Sequence, residues 1–474
     1  MPRRRCRHRH PAAWRAVASL LVLCGLGASN AALAALAAPA QPRRGITLPE
    51  ALAYARQHQP SLAGALARVA AAAADARVAR AQWLPSFGAT AQAFEGTTNN
   101  STASYVGVPE VALPRIGGTP TSSTGTFRPS TSTLAAVGGN QEVFDFGRIA
   151  AQAAVADATY QAEKHRAYAE RLRVDLVVKD AFFGVLAARA VLQAAEGAFA
   201  RAQAHRDMAA AQVKTGLHAP IELTRAEADL TRFDVARVRA AGGLASAQSV
   251  FAAAVGADDL MLDATGGAPP EPPPPPVEQG LKAAADRDPL LLEARTRVQA
   301  ADALTRAIAA QLRPDLSLTG AFSGRAGTAT PTSGPLSPDY GPLPTIANWD
   351  VGLVLRWPLY DPVVAARRDA AAARAGVARA EVAVLSQQET AVVQQAYVAQ
   401  QVAQVALVAL RRAVDAAQAN DAQAEARFKA GLGTSLELAD AEAVRTDAEI
   451  QLAVGEYDVQ RARAALARLL AEGS

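Results

Sequence analysis

Two hydrophobic rhythms dominate the chain. Between 174 and 202, apolar side chains step by 4, 3, 4, 3: Val174, Val178, Ala181, Val185, Ala188, Leu192, Ala195, Phe199, Ala202. That spacing predicts a coiled-coil seam on a long helix. The matching stripe of the second half, Val398, Val402, Val405 and Ala409, is less clean and runs into Arg412. A strand rhythm appears where Trp349, Val351, Leu353, Leu355 and Trp357 alternate with Asp350, Gly352 and Arg356. The tryptophans are 8 residues apart, which at 3.3 Å per residue is about 26 Å. An outward apolar band about 25 Å tall with an aromatic at each interface has that height. Leu316, Leu318 and Phe322 alternate with Ser317, Thr319 and Ser323, and Phe87, Ala89, Ala91 and Ala93 with Ser86, Thr90 and Gln92. A fourth strand around 131–144 is poorly patterned. The competing reading of these strands is a soluble sheet edge packed on helices.

The order of elements occurs twice. Gly216-Leu217, Glu222-Leu223 and Ala226-Glu227-Ala228 return as Gly431-Leu432, Glu437-Leu438 and Ala441-Glu442-Ala443, all at an offset of 215. Gln59-Pro60-Ser61 and Asp288-Pro289-Leu290 open helical stretches that stop at Leu84-Pro85-Ser86 and Arg313-Pro314-Asp315. The prolines are offset by 229 and Asp145/Asp361 by 216, so the first copy carries 13 extra residues in a surface loop between its strands. Each half predicts a helix (48–82, 277–312), two strands around a Gly/Ser/Thr/Pro-rich loop, a very long helix (148–214, 363–429), a Gly-Leu turn and another long helix (221–255, 436–471). The implied domains are a leader over 1–38, a first repeat over 39–266, a proline-rich linker over 267–277 and a second repeat over 278–474. Four strands close no barrel, since the smallest bacterial barrels have eight, and open edges are forbidden in lipid. If these strands span a membrane, a trimer gives twelve and a dimer eight.

Composition refines this picture. Hydrophobic residues make up 50% of the chain but aromatics only 5%, an alanine-rich mixture suited to closely packed helices. The formal charge of +4 misleads: it falls to −2 without the six arginines Arg3, Arg4, Arg5, Arg7, Arg9 and Arg15. No nucleic-acid partner is expected. Those arginines, an uncharged stretch over 16–38 and the sites Ala32-Leu33-Ala34 and Ala35-Leu36-Ala37 have the order of a secretory signal peptide. The mature chain is expected to begin between Ala35 and Gln41, not at a lipidated Cys24. Both cysteines, Cys6 and Cys24, fall inside the leader, which leaves no disulfide or thiol chemistry. His58, His165, His205 and His218 show no metal-ligand spacing, and no nucleophile elbow or phosphate loop is present. His165 and His205 read as solvated helix-surface residues. No enzyme and no cofactor are expected.

The duplicated order, the entries Phe144-Asp145-Phe146-Gly147 and Tyr360-Asp361-Pro362 into the long helices, and the two Gly-Leu…Glu-Leu…Ala-Glu-Ala tips resemble the TolC-type outer-membrane factors, or outer-membrane efflux proteins. The likeness runs from Ile46 to Ala471. Within that family the chain is most similar to outer-membrane components of cyclolysin (adenylate cyclase–haemolysin) type I secretion systems. The resemblance implies a mainly α fold with a shared membrane β-barrel: a homotrimer with twelve strands in the outer membrane and a helical tunnel through the periplasm. It implies a periplasmic adaptor, an inner-membrane transporter of ABC type, outer-membrane lipid and an exported toxin polypeptide as partners. A multidrug efflux channel is the alternative; a distant one is a periplasmic coiled-coil adaptor, which would lack the Trp-to-Trp strand. By the same resemblance, Glu437 and Asp440 match a ring of constricting carboxylates and Glu222 an acid of the gate. Phe428 stands where a gate tyrosine is usual and Gly433 where an arginine is usual. Thr215-Gly216-Leu217 and Ala430-Gly431-Leu432 match adaptor-contacting turns, while Trp349 and Trp357 mark the membrane interfaces.

Overall fold

The computed structural model describes residues 44–97, 129–216, 218–257, 262–267, 273–327 and 346–471. The expected leader, most of both inter-strand loops and part of the proline-rich linker lie outside these residues. Along the chain run β1 (Arg44–Ile46), α1 (Leu48–His58), α2 (Pro60–Ala81), β2 (Ser86–Thr97), β3 (Pro129–Phe144), α3 (Arg148–Lys214) and α4 (Pro220–Val255). Then follow β4 (Leu262–Ala264), α5 (Val277–Arg287), α6 (Pro289–Ala309), β5 (Asp315–Gly327), β6 (Ile346–Arg356), α7 (Pro362–Lys429) and α8 (Ser435–Leu469). The two halves repeat one another element for element, apart from the short β1 and β4.

The expected single helices over 48–82 and 277–312 are each broken in two. Gln59 is extended, at φ −70° and ψ 117°, as is Asp288 at φ −58° and ψ 121°. A proline follows each of them and disfavours the helical conformation at the residue before it. The break is then used as a start. Asp288 accepts hydrogen bonds from the N–H groups of Leu290 and Leu291 at 2.7 and 3.1 Å, capping α6.

Helices α3 and α7 hold 67 and 68 residues, or about 100 Å each at 1.5 Å rise. Asp145 and Asp361 start them: Asp145 accepts from Gly147 N–H at 2.9 Å and from Ile149 N–H, and Asp361 accepts from Val363 N–H at 2.8 Å. Helix α3 packs on α2, α4, α6 and α8, while α7 packs on α5, α6 and α8. The 4-3 stripe of α3 is buried or half-buried from Val174 to Ala202, as a coiled-coil seam requires. On α7 the corresponding valines, Val398, Val402 and Val405, face outward from the chain.

Where the long helices are girdled, Phe182 and Phe251 meet edge-to-face at 5.8 Å in a core with Leu48, Val178, Val185 and Val255. Strands β1 and β4 pair in parallel beside it. Three-residue strands carry no readable periodicity, and neither was expected. Arg56 of α1 forms a two-pronged pair with Asp175 of α3 at 2.9–3.0 Å.

The four long strands form one antiparallel sheet in the order β2-β3-β5-β6. The poorly patterned strand is present as β3, with a bulge between Glu142 and Phe144. Phe322 pairs with Trp349 and Leu318 with Leu353, so their side chains share a face. That face is apolar and exposed, with Trp349 at 76% and Leu353 at 66%. The opposite face buries Ser317, Ala321 and Ser323. Phe87 lies over Gly139, close enough that a Cβ there would meet the ring at 2.8 Å. The sheet is inside-out by the standard of a soluble protein.

Candidate functional site: the hairpin tips and the membrane sheet

Helices α3–α4 and α7–α8 form two hairpins whose turns need left-handed backbone. Gly216 has φ +76° and Gly431 φ +71°, which glycine adopts without steric cost. Thr215 and Ala430 are the last helical caps before them. Leu432 is exposed, and its N–H donates to Arg427 C=O at 2.9 Å. Leu217 lies outside the described residues.

The residues expected at a gate do meet other groups at these tips, though not all the expected ones. Glu222, in the first turn of α4, accepts from the Ser435 N–H at 3.2 Å and from the Ser435 hydroxyl. The Ser435 hydroxyl holds the Glu222 carboxyl below the usual carboxylate range, outweighing the cost of burial. Phe428 is buried and stacks on His218 with ring centroids 5.3 Å apart. At Gly433 a Cβ would press on the backbone of Phe428 and Arg427 at 3.2–3.3 Å. A larger side chain there would need this turn to shift.

Glu437 and Asp440 are both exposed in the first turns of α8. Thr434 accepts from the Glu437 N–H at 3.2 Å, an N-cap, and Arg427 lies 3.7 Å from the Glu437 carboxylate. The cap and the arginine complement the charge and the first-turn N–H of Glu437 locally.

Just beyond the tips, a buried charge cluster joins the hairpins. His205 Nδ1 of α3 lies 3.1 Å from Glu442 of α8, which is only 2% exposed. Arg201, one turn away, is 3.5 Å from Glu442 and 3.3 Å from Glu449. Arg445 reaches Glu449 at 2.8 Å and Asp421 of α7 at 3.0 Å. Burial pushes the Glu449 carboxyl up, but Arg445 and Arg201 hold it below its usual range. His205 is therefore not a solvated surface residue: its face of α3 is covered by α8. No spacing rule links 205 to 442, or 222 to 435, so no sequence signal pointed to either pair.

At the other end, the Trp349 and Trp357 side chains are both exposed, with Trp357 directly after β6. Among the described residues, no helix is long and apolar enough to cross a membrane.

The family model of the outer membrane efflux protein matches residues 51–257 and 280–472. This chain belongs to that family. The two matched stretches coincide with the two structural repeats. The fold is that of solved outer-membrane channels. It is similar to the outer-membrane channel OprN at 21% identity and a TM-score of 0.71, covering 92% of this chain and 94% of that one. The outer membrane protein VceC of Vibrio cholerae is 20% identical with a TM-score of 0.70, covering 89% and 95%. CusC is 18% identical with a TM-score of 0.70, covering 91% and 93%. A comparison with curated proteins finds no match. As an outer membrane efflux protein, the chain resides in the outer membrane and extends into the periplasm.

Proposed function

We propose that three copies of this chain form the outer-membrane exit duct of a tripartite export machine. The observation that carries the reading is the sheet: an exposed apolar face, and two edges, β2 and β6, that pair with no other strand among the described residues. Unpaired edge groups cost several kcal/mol each in lipid, so β6 of one copy must take β2 of the next. Three copies give twelve strands. The outward valines Val398, Val402 and Val405 of α7 support the same assembly, because neighbouring coils would cover them.

In this reading the tips form the periplasmic gate. Glu222 latches on Ser435, Phe428 fills the space between the hairpins, and Gly433 leaves the turn compact. Glu437 and Asp440 ring the axis, and a periplasmic adaptor grips Thr215, Gly216, Leu217, Ala430, Gly431 and Leu432. Opening needs only a partner that binds the open tips better. An inner-membrane transporter supplies the energy. Residues 1–38 act as a cleaved export signal, and 267–277 link repeats over 39–266 and 278–474.

The cargo follows from the transporter. The resemblance to cyclolysin exporters favours a toxin polypeptide delivered by an ABC-type pump, a type I secretion pathway. The family's description as an efflux protein supports small-molecule export equally well. Deleting the gene in its host separates them. Toxin export predicts that an exported polypeptide disappears from the medium and returns on complementation. Unchanged secretion with a gain in drug sensitivity would assign the duct to small molecules.

A further inference from the structure

With its three carboxylates ionised, the charge cluster buried between the two hairpins balances only when His205 is protonated. Arg201 and Arg445 face Glu442, Glu449 and Asp421, two positive groups against three negative ones. A protonated His205, whose Nδ1 already lies 3.1 Å from Glu442, makes the count three against three. The other charged groups around the imidazole are satisfied locally. Asp229 of α4 pairs with Arg232 at 3.3 Å, and Glu425 of α7 pairs with Lys429 at 2.5 Å. Beside His205 is a cavity of about 20 Å³, lined also by Asp229, Phe428, Ser435 and Glu442. That is room for one water. Glu442 is nearly sealed from solvent, and a buried carboxylate is costly unless it is fully paired.

We propose that His205 is a proton-operated clasp that holds the second hairpin against the first. Protonated His205 completes the pairing of Glu442 and favours the packed tips. Loss of the proton leaves one uncompensated negative charge between α3 and α8 and favours their separation. Histidine is the side chain best suited to act as a switch near physiological pH: acid closes the tips and raising the pH loosens them. The inference rests on the gate reading above but concerns its regulation. No chemistry of the cargo enters it.

The test measures the separation of α3 and α8 by pulsed electron spin resonance on trimers in lipid nanodiscs. Spin labels at Asp207 and Val444, both exposed, are carried by one chain per trimer. From pH 5.5 to 8, in the range where histidine titrates, the widely separated population should grow by about fivefold or more, the lower end of ordinary site–site coupling. In His205→Gln it should be large at both pH values. A wild-type distribution that does not change with pH overturns the clasp, whether or not the variant folds. So does an equal pH response in His205→Gln trimers. Conductance of the same preparation in planar bilayers separates the two levels. A protein that conducts with pH-invariant distances loses only the clasp, whereas one that never conducts loses the channel reading itself.

Discussion

Glu222, at the start of α4, accepts hydrogen bonds from both the backbone N–H and the hydroxyl of Ser435, at the start of α8. One carboxylate thereby fastens the tip of the first hairpin to that of the second. Hydrogen bonds to a charged group contribute about 1.5–3 kcal/mol each, enough to decide between two packings of similar energy. Glu222→Gln and Ser435→Ala should each raise the basal conductance of the channel in planar bilayers. The two effects should not add in the double variant, because both substitutions act on the same contact. The pH dependence has a definite sign. With the Glu222 carboxyl held below its usual range, the latch is fully present above that range and lost as pH falls through the lowered value. Acid below about pH 4, well under the histidine range, should therefore loosen the wild type, and Glu222→Gln should lack that response.

Leu353 and Gly352 are adjacent and point to opposite sides of β6. Leu353 shares the exposed apolar face with Leu318 and Trp349, while a side chain at Gly352 would meet open space. Leu353→Arg should cost about 2–4 kcal/mol of stability in lipid, as for a cation at mid-membrane on a barrel's outer face. Gly352→Arg should cost far less. Reversible unfolding in detergent or lipid checks this, and equal losses would mean that β6 is not a barrel strand.

Gly280 of α5 lies directly under Tyr397 of α7. A Cβ at Gly280 would fall 2.0 Å from the tyrosine hydroxyl, which donates to Pro275 C=O at 2.9 Å. Gly280→Ala must push the ring off this linker, an overpacking cost of about 1–3 kcal/mol. Tyr397→Phe keeps the ring and loses one neutral hydrogen bond, about 1 kcal/mol. Melting temperatures should fall in that order. A Gly280→Ala protein as stable as the parent would mean that Tyr397 is free to move.

Much of this architecture was legible in the sequence because local rules decide it. Gly216 and Gly431 mark turns that need left-handed backbone, Pro85 and Pro314 end helices, and the Trp349–Trp357 alternation places a strand. Pro60 and Pro289 follow the same rule: each forces the residue before it out of the helix, so what reads as one helix is two. The site was less legible. Glu222 meets Ser435 of the other hairpin and Arg225 one turn along its own helix, and only the second of these is a spacing that the sequence displays. His205 read as solvated because a helix-surface histidine looks the same whether water or α8 covers it. Burial by a distant helix is a tertiary fact, and periodicity along one helix does not contain it.

Glu437 and Asp440 test the electrostatics of the entrance. In the proposed trimer, three chains would bring six such carboxylates around one axis, each Glu437 with Arg427 nearby. A ring of that sign concentrates cations at the mouth. Alanine at both positions should leave trimers intact while lowering cation selectivity and block by multivalent cations. Unchanged selectivity in planar bilayers would reduce these residues to ordinary helix-start acids complementing the dipole.

The shared barrel is the central claim, and cross-linking its seams tests it most directly. The only native cysteines are Cys6 and Cys24, and replacing both with serine lets introduced pairs report without interference. Single cysteines at Ala89, Ala91 or Ala93 of β2 are combined with one at Val351, Leu353 or Leu355 of β6, all on the same exposed face of the sheet. Oxidised in the outer membrane and separated on a denaturing gel, a pair in register should give covalent species of two and three chains and nothing larger. Monomers from every pair, or a ladder that continues past three, would contradict a closed barrel of three chains.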